Sequence, residues 1–201
     1  LARKYMEKRG FDLKELMYKG VGYCSSGKLD GYIILPFMAD GKLVYYHTRK
    51  FFGNGPKYNN PPLDEFGIGK SHLIYNLEAL FVYDKVLLFE GVLNAETVGD
   101  KAIATGGKYL SHWQKSQIIN SPVDRVDICL DDDALENAIE LALELVHYKK
   151  VKIVNFPKGK DANDLGKTNT LRLTHKYRYL SYIELIKLKN GKRNMERYWR
   201  Y

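Results

Sequence analysis

Lys85-Val86-Leu87-Leu88-Phe89-Glu90-Gly91 opens the part of the chain that decides its fold. Val86 to Phe89 is a short run without a polar face, stopped by an acid and a glycine, and Leu93 to Val98 can follow it as a helix. The texture then repeats. Ala102 to Thr105 reads as strand, halted by Gly106-Gly107; Trp113 to Ile119 reads as helix, Val126 to Leu130 as strand, Leu135 to Tyr148 as a strongly periodic helix, and Val151 to Phe156 as strand. Apolar strands alternating with helices predict an α/β fold: a parallel sheet covered on both faces, its crossovers right-handed.

Upstream the pattern is different and mixed. Ala2 to Lys8 and Leu13 to Tyr18 read as short helices separated by Arg9-Gly10. Tyr32 to Phe37 and Leu43 to His47 read as strands of a hairpin joined through Ala39-Asp40-Gly41, where the Asp-Gly pair is a turn signal. Gly53-Asn54-Gly55-Pro56-Lys57-Tyr58-Asn59-Asn60-Pro61-Pro62 is too dense in breakers for a regular element. We therefore expect a smaller mixed α+β subdomain over 1–80, a parallel-sheet domain over 81–166 and a helical segment over 167–201, with the seam near Asn76 to Tyr83.

The chain has 201 residues, of which 45% are hydrophobic and 28% charged, a balance that excludes intrinsic disorder and collagen-like repeats. No apolar run approaches the roughly 18–20 residues of a membrane-spanning helix. Cys24 and Cys129 are too few for a disulfide framework or a four-cysteine zinc site, which points to a reducing, cytoplasmic setting. Leu1 stands where an initiator Met would, with no secretory signal behind it, and the chain reads as a piece of something longer.

The net charge of +8 lies entirely in the last segment: Lys167 to Tyr201 holds 10 basic residues against Glu184 and Glu196, and 1–166 balances at zero. Tyr177, Tyr179, Tyr182, Tyr198, Trp199 and Tyr201 are interleaved with those cations, a mixture that suits nucleic acid. A helix packed on the domain through Leu180, Ile183, Ile186 and Leu188 is the alternative reading, and the two are compatible.

In open parallel sheets ligands bind beyond the carboxyl ends of the strands. Glu90-Gly91, Asp131-Asp132-Asp133, and Lys160-Asp161 with Asp164 all fall after predicted strands, so three strands deliver carboxylates to one edge. Two like charges 4 Å apart repel by roughly 4 kcal/mol at an effective dielectric of about 20, so such a cluster calls for protons or a cation. Oxygen donors without His or Cys select Mg²⁺ or Mn²⁺. At the end of a strand residues i and i+2 point to the same side, so Asp131 and Asp133 can share an ion, while helix capping by one of the three acids is the alternative reading.

This ordered set, Glu90-Gly91, Asp131-x-Asp133 and Gly159-Lys160-Asp161, resembles the signature of the TOPRIM fold. Gly31-Tyr32-Ile33-Ile34-Leu35-Pro36-Phe37, Asp40-Gly41-Lys42, Arg49 and Pro56 to Pro62 resemble the basic subdomain that precedes TOPRIM in DnaG-type primases, as does Tyr5-Met6-Glu7-Lys8-Arg9-Gly10. The likeness covers about residues 2–166, and its ending, Lys160 to Gly166, is more like phage-type primases than cellular ones. It implies a DNA primase core that makes short RNA primers from ribonucleoside triphosphates on single-stranded DNA in a cleft between its two parts. Glu90 would be the acid beside the reacting phosphate; Glu90, Asp131, Asp133, Asp161 and Asp164 would hold Mg²⁺ or Mn²⁺; and Arg49, Lys57, Tyr58, Asn60, Gly91 and Lys160 would bind nucleotide and template. A replicative helicase and a zinc-binding module elsewhere are the partners it implies.

The chain departs from that pattern at Tyr32 and Ala134, where arginines are usual, and at Asn94, where an acid is common. A TOPRIM nuclease and a non-catalytic DNA-binding module are the rival readings. The former has no use for a triphosphate grip at Arg49 and Lys57-Tyr58-x-Asn60. His47, His72, His112, His147 and His175 lack metal spacing, Gly106-Gly107-Lys108 lacks the full P-loop pattern, and Trp113 and Trp199 read as packing anchors.

Overall fold

A computed structural model describes residues 1–39, 41–63, 69–107, 109–131 and 134–191. They form two compact units, Leu1–His72 and Leu73–Tyr201.

In the first unit, helix α1 (Ala2–Lys8) is followed by α2 (Leu13–Tyr18), whose start is fixed by the Asp12 carboxylate accepting from the backbone N–H of Lys14 at 2.7 Å. An antiparallel sheet follows, in the order β1 (Gly22–Tyr23), β2 (Tyr32–Ala39), β3 (Lys42–Lys50). The predicted hairpin is present: Ala39 faces Lys42, and Gly41 has φ +71°; its turn partner Asp40 lies outside the described residues. Met6, Leu16, Ile33, Leu35, Phe37 and Tyr45 form the core. Gly31 (φ +74°) accepts from Phe51 N–H, and a Cβ there would lie 2.4 Å from the Phe52 carbonyl oxygen, so only glycine fits.

The second unit runs α3 (Ala79–Val82), β4 (Lys85–Phe89), α4 (Val92–Val98), β5 (Ala102–Ala104), α5 (His112–Asn120), β6 (Arg125–Cys129), α6 (Leu135–Leu145), β7 (Lys150–Ile153), α7 (Ala162–Thr174) and α8 (Tyr182–Asn190). The strands are parallel in the order β5-β4-β6-β7. Stepping from β4 to β5 moves one way across the sheet and from β5 through β6 to β7 the other, so right-handed crossovers put α4 on one face and α5 and α6 on the opposite one. Packing of α7 on α4 and of α8 on α6 completes both layers. Val86, Leu88, Ile103, Val126, Ile128 and Val151 are shut off from solvent, as a doubly covered sheet requires.

Asp127 in mid-β6 breaks the apolar pattern. It is fully buried, with its Oδ2 3.2 Å from Lys152 Nζ and 3.7 Å from Lys85 Nζ, and its Oδ1 accepts from the Tyr179 hydroxyl at 3.3 Å. Burial and the Asp127 charge raise the Tyr179 pKa. Lys152 in turn donates to the Thr174 carbonyl at 2.9 Å, and Leu180 N–H bonds to the Val151 carbonyl, which covers the β7 edge.

These contacts revise the reading of the last segment. Tyr177 and Tyr179 are docked on the domain, Tyr177 donating to the Asn155 carbonyl at 2.7 Å. Leu180, Leu185 and Leu188 pack as an amphipathic face, but Ile183, expected among them, is 65% exposed, and Leu185 takes its place. Tyr198, Trp199 and Tyr201 lie outside the described residues. Helix α6 ends at Leu145 rather than Tyr148, and beyond it the backbone tightens into a turn in which Tyr148 N–H bonds to the Leu145 carbonyl three residues back.

Candidate functional site

The parallel sheet aligns β4 and β6 as neighbours, with Phe89 opposite Cys129. Glu90 follows Phe89 directly and Asp131 lies two residues past Cys129, so both acids leave the same edge from strands about 4.8 Å apart. Glu90 is half-buried and its Oε2 is shut off from solvent. Its carbonyl accepts from Gly106 N–H at 2.8 Å, and the Phe89 carbonyl accepts from Thr105 N–H at 3.2 Å, which draws the Gly106-Gly107 loop onto the same end. Lys108, Asp132 and Asp133 lie outside the described residues.

Two expectations about the acids change. Strand β6 ends at Cys129, so Asp131 sits in the loop beyond it and strand alternation does not carry the pairing of Asp131 with Asp133. The N-cap of α6 is Ala134, which offers no capping side chain. Ala134 N–H instead bonds to the Asp131 carbonyl at 2.9 Å, an arrangement that uses the backbone of Asp131 for the turn.

Asp161 and Asp164 arrive differently. Asp161 caps α7, accepting from Asp164 N–H at 2.8 Å while Asp164 Oδ2 accepts from Asp161 N–H at 3.2 Å, a reciprocal capping box that uses one oxygen of each. The helix start is held against α4 by Asn163, whose N–H donates to Asn94 Oδ1 at 3.2 Å and whose Nδ2 donates to Thr97 Oγ1 at 2.9 Å. Asn94 thus serves as a hydrogen-bond acceptor that adds no charge to this edge. Gly91 caps α4 directly after Glu90, and Lys160 is exposed one residue before the box.

The donor set is all oxygen, which suits a hard divalent cation. Among the described residues no group of three or more His, Cys, Asp or Glu is arranged to hold a metal ion. The fit therefore rests on Glu90 and Asp131, which follow adjacent strands.

The cationic residues form a separate cluster on the first unit. Tyr58 is 42% exposed, with the Arg49 guanidinium 5.5 Å from its ring centre and Lys57 Nζ 5.4 Å from it. Arg49 Nη1 donates to the Tyr58 hydroxyl and Nε to the Tyr5 hydroxyl, both at 3.1 Å. Burial works against the Arg49 charge, yet the two tyrosine oxygens more than compensate, and its pKa lies above the ordinary arginine value. Asn60 plays a structural part, since its Oδ1 accepts from Thr48 N–H at 2.8 Å and from Thr48 Oγ1 at 3.2 Å, tying the breaker-rich loop to β3. Tyr32, where the resemblance leads one to expect arginine, donates to the Pro56 carbonyl at 2.8 Å and lies under Lys50 Nζ, 4.3 Å from its ring centre. Lys50 thereby supplies a cation close to that position.

Three further features go beyond the sequence reading or correct it. His47 is 95% buried against Phe37 and Tyr58, with Nε2 unpaired among the described residues. Gln114 is buried and donates to the carbonyls of Leu73 (2.7 Å) and Thr105 (3.1 Å), locking α5 to the loop beside Glu90. Trp113 is 61% exposed and is not a packing anchor. A lone His or Gln carries no sequence signal, since its burial depends on residues far along the chain.

No protein-family model matches the chain. DNA primase of Staphylococcus aureus strain COL is 26% identical over 183 residues, and that of strain MSSA476 is 27% identical over the same length. Each match covers 81% of this chain, which spans 30% of the length of these relatives. Among solved structures, a DnaG catalytic core superposes over 92% of this chain and 75% of its own with a TM-score of 0.77 at 18% identity. The zinc-binding and RNA polymerase domains of the Aquifex aeolicus primase superpose over 98% of this chain and 60% of theirs with a TM-score of 0.76 at 20% identity. The primase fragment of the bacteriophage T7 primase-helicase gives a TM-score of 0.56 at 14% identity, over 84% of this chain and 71% of its own. The fold is thus that of the DnaG catalytic core.

Proposed function

We propose that this chain is a primase catalytic core that condenses ribonucleoside triphosphates into short RNA on a single-stranded DNA template. What supports the reading is the parallel register of β4 and β6, which sets Glu90 and Asp131 just past neighbouring strand ends, within a fold like that of DnaG catalytic cores. In each condensation the primer 3′-hydroxyl oxygen forms a bond to the α-phosphorus of the incoming nucleotide, and the bond to the bridging oxygen breaks to release pyrophosphate. Mg²⁺ or Mn²⁺, when bound, would neutralise phosphate charge and ease loss of the attacking hydroxyl's proton. Glu90, Asp131 and Asp133 would hold it, with Asp161 and Asp164 at the rim. Arg49, Lys57 and Tyr58 of the first unit, and Gly91 and Lys160 of the second, would bind nucleotide and template. Asn60 supports that surface by fixing its loop to β3.

Among the described residues no helix is long and apolar enough to cross a membrane, and a cytoplasmic place of action accords with the reading. A replicative helicase and a zinc-binding module would supply unwinding and start-site choice. The Arg49–Tyr58 cluster favours polymerisation over hydrolysis, because a nuclease has no triphosphate to hold.

Incubation with single-stranded template, labelled ribonucleotides and Mg²⁺ or Mn²⁺ tests the proposal. New short RNA is expected. Shortened template would replace it with a nuclease, and neither product alongside retained DNA binding would replace it with a non-catalytic module.

A further inference from the structure

We propose that Lys50, together with the Gly53-Asn54-Gly55 turn, forms a seat for a backbone phosphate of single-stranded nucleic acid, on the other side of β3 from the Arg49–Tyr58 cluster. The inference rests on the primase reading and gives a task to a cation that this reading leaves without one.

Tyr32 and Lys50 face each other across the β2–β3 ladder. The Lys50 ammonium lies 4.3 Å from the centre of the Tyr32 ring and donates to the Asp30 carbonyl at 3.1 Å. The ring attracts the charge and the carbonyl takes one of the three N–H donors, so two remain to serve a ligand from a settled position. Among the described residues no carboxylate pairs with Lys50, and Asp30 offers it a backbone oxygen rather than its side chain. The surroundings are kept bare. A Cβ added to Gly31, Gly53 or Gly55 would lie 3.5, 3.8 or 3.7 Å from Lys50 Nζ, so the side chains that would crowd the ammonium are missing. The N–H groups of Gly53, Asn54 and Gly55 donate to no group among the described residues, and all three residues are exposed. The turn itself is held, since the Tyr32 hydroxyl donates to the Pro56 carbonyl at 2.8 Å and Lys50 N–H bonds to the Lys57 carbonyl at 3.0 Å. Free N–H groups in a fixed turn beside a fixed ammonium suit an anion, whose oxygens meet a full charge and backbone dipoles together.

Position decides which phosphate this is. Consecutive residues of a strand project to opposite faces. Arg49 reaches the hydroxyls of Tyr5 and Tyr58, Lys50 reaches Asp30 and Tyr32, and the two share no partner among the described residues. One triphosphate gripped at Arg49 leaves the Lys50 side of β3 unused, whereas a polynucleotide carries a phosphate at every nucleotide and can touch both sides of a strand end.

Binding of a fluorescein-labelled twelve-residue oligothymidylate to the whole chain, measured by anisotropy across a salt series, tests this. Lys50→Gln keeps a stem and a donor for the Asp30 carbonyl and removes the charge. One phosphate contact on a single strand is worth about 0.7 in the slope of log Kd against log salt, so the slope should shrink by about that much. The same slope makes Kd rise about eightfold at about 50 mM salt and hardly at all at about 1 M. Lys50→Arg restores both quantities, and Lys14→Gln, which removes an exposed charge from α2 of the same unit, changes neither. Asn54→Asp leaves Lys50 in place and sets a carboxylate on the turn; it should reproduce the loss, and it decides the matter if Lys50→Gln is misfolded by circular dichroism. The KM for ribonucleotide in primer synthesis stays within about twofold of wild type in Lys50→Gln. An unchanged salt slope in folded Lys50→Gln or in Asn54→Asp, or an equal loss in Lys14→Gln, would overturn the seat alone. So would a raised ribonucleotide KM with DNA affinity intact, which would give Lys50 to the triphosphate. A wild type that binds the oligomer with a Lys50-dependent slope but makes no RNA would remove the primase reading and leave the seat, and one that binds no single-stranded DNA would overturn both.

Discussion

Acidification should loosen this protein through His47, and the size of the effect follows from where the ring sits. His47 is buried on the inner face of β3, Lys70 adds positive charge nearby, and together these lower its pKa from 6.5 to about 4. In the folded state the ring stays neutral down to about pH 4, whereas the unfolded chain takes up a proton below about 6.5. Lowering the pH through that window therefore favours unfolding. One pKa unit corresponds to 1.36 kcal/mol, so the 2.5-unit gap removes about 2 kcal/mol by pH 5 and about 3 kcal/mol once pH 4 is passed. The perturbation is His47→Phe, which keeps a ring between Phe37 and Tyr58 and removes both the titration and the Nε2 that is unpaired among the described residues. Urea denaturation of wild type and variant at half-unit steps from pH 7.5 to 4.5 is the assay, and the difference between the two curves isolates His47 from the carboxylates. The variant should match or exceed the wild type at neutral pH and lead it by about 2 kcal/mol more at pH 5 than at pH 7. Parallel curves, or a His47 proton resonance that titrates near 6.5 in the folded protein, would refute the burial argument.

Glu90→Gln keeps the shape of a half-buried side chain but cannot hold a cation, so primer synthesis should fall at least about 100-fold with an unchanged circular dichroism spectrum. Full activity in that variant would remove Glu90 from the reacting centre. Asp127→Ala leaves Lys152 buried beside Lys85 without a counter-charge, and should cost about 3–5 kcal/mol in chemical denaturation; a change under 1 kcal/mol would show that the lysines reach water. Gly31→Ala brings a methyl group against the Phe52 carbonyl at positive φ, and a loss of at least about 2 kcal/mol is expected in the same assay. Arg49→Lys cannot reach the Tyr5 and Tyr58 hydroxyls as a fork, so the KM for ribonucleotide should rise several-fold while DNA binding without nucleotide changes little.

Much of the fold was written locally. The apolar runs ending in Glu90 and before Asp131 carry the strand assignment in their own residues, and the breaker-rich loop before Pro62 carries no regular element in the structure either. The strand-end acids were equally legible, because a carboxylate after an apolar run is a feature of a few consecutive residues. The finer division of labour was not. Asn60 reads as a ligand-binding residue in sequence, and only the structure shows that its Oδ1 also ties its loop to Thr48; that the N-cap of α6 is Ala134 was likewise not legible.

The order of strand and helix, the charge balance and the chemical character of the strand-end residues were determined by the chain alone, since each depends on neighbours within a turn or a strand. Only the folded arrangement decided that β4 lies between β5 and β6, which brings Glu90 beside the Asp131 loop and the Gly106 loop. It also decided that Tyr179 is held inside by a buried Asp127 while Trp113 stands in water. The partners that settle such cases are separated by tens of residues, and the free energy of burying a ring or a charge is set by what packs around it rather than by what precedes it in the chain.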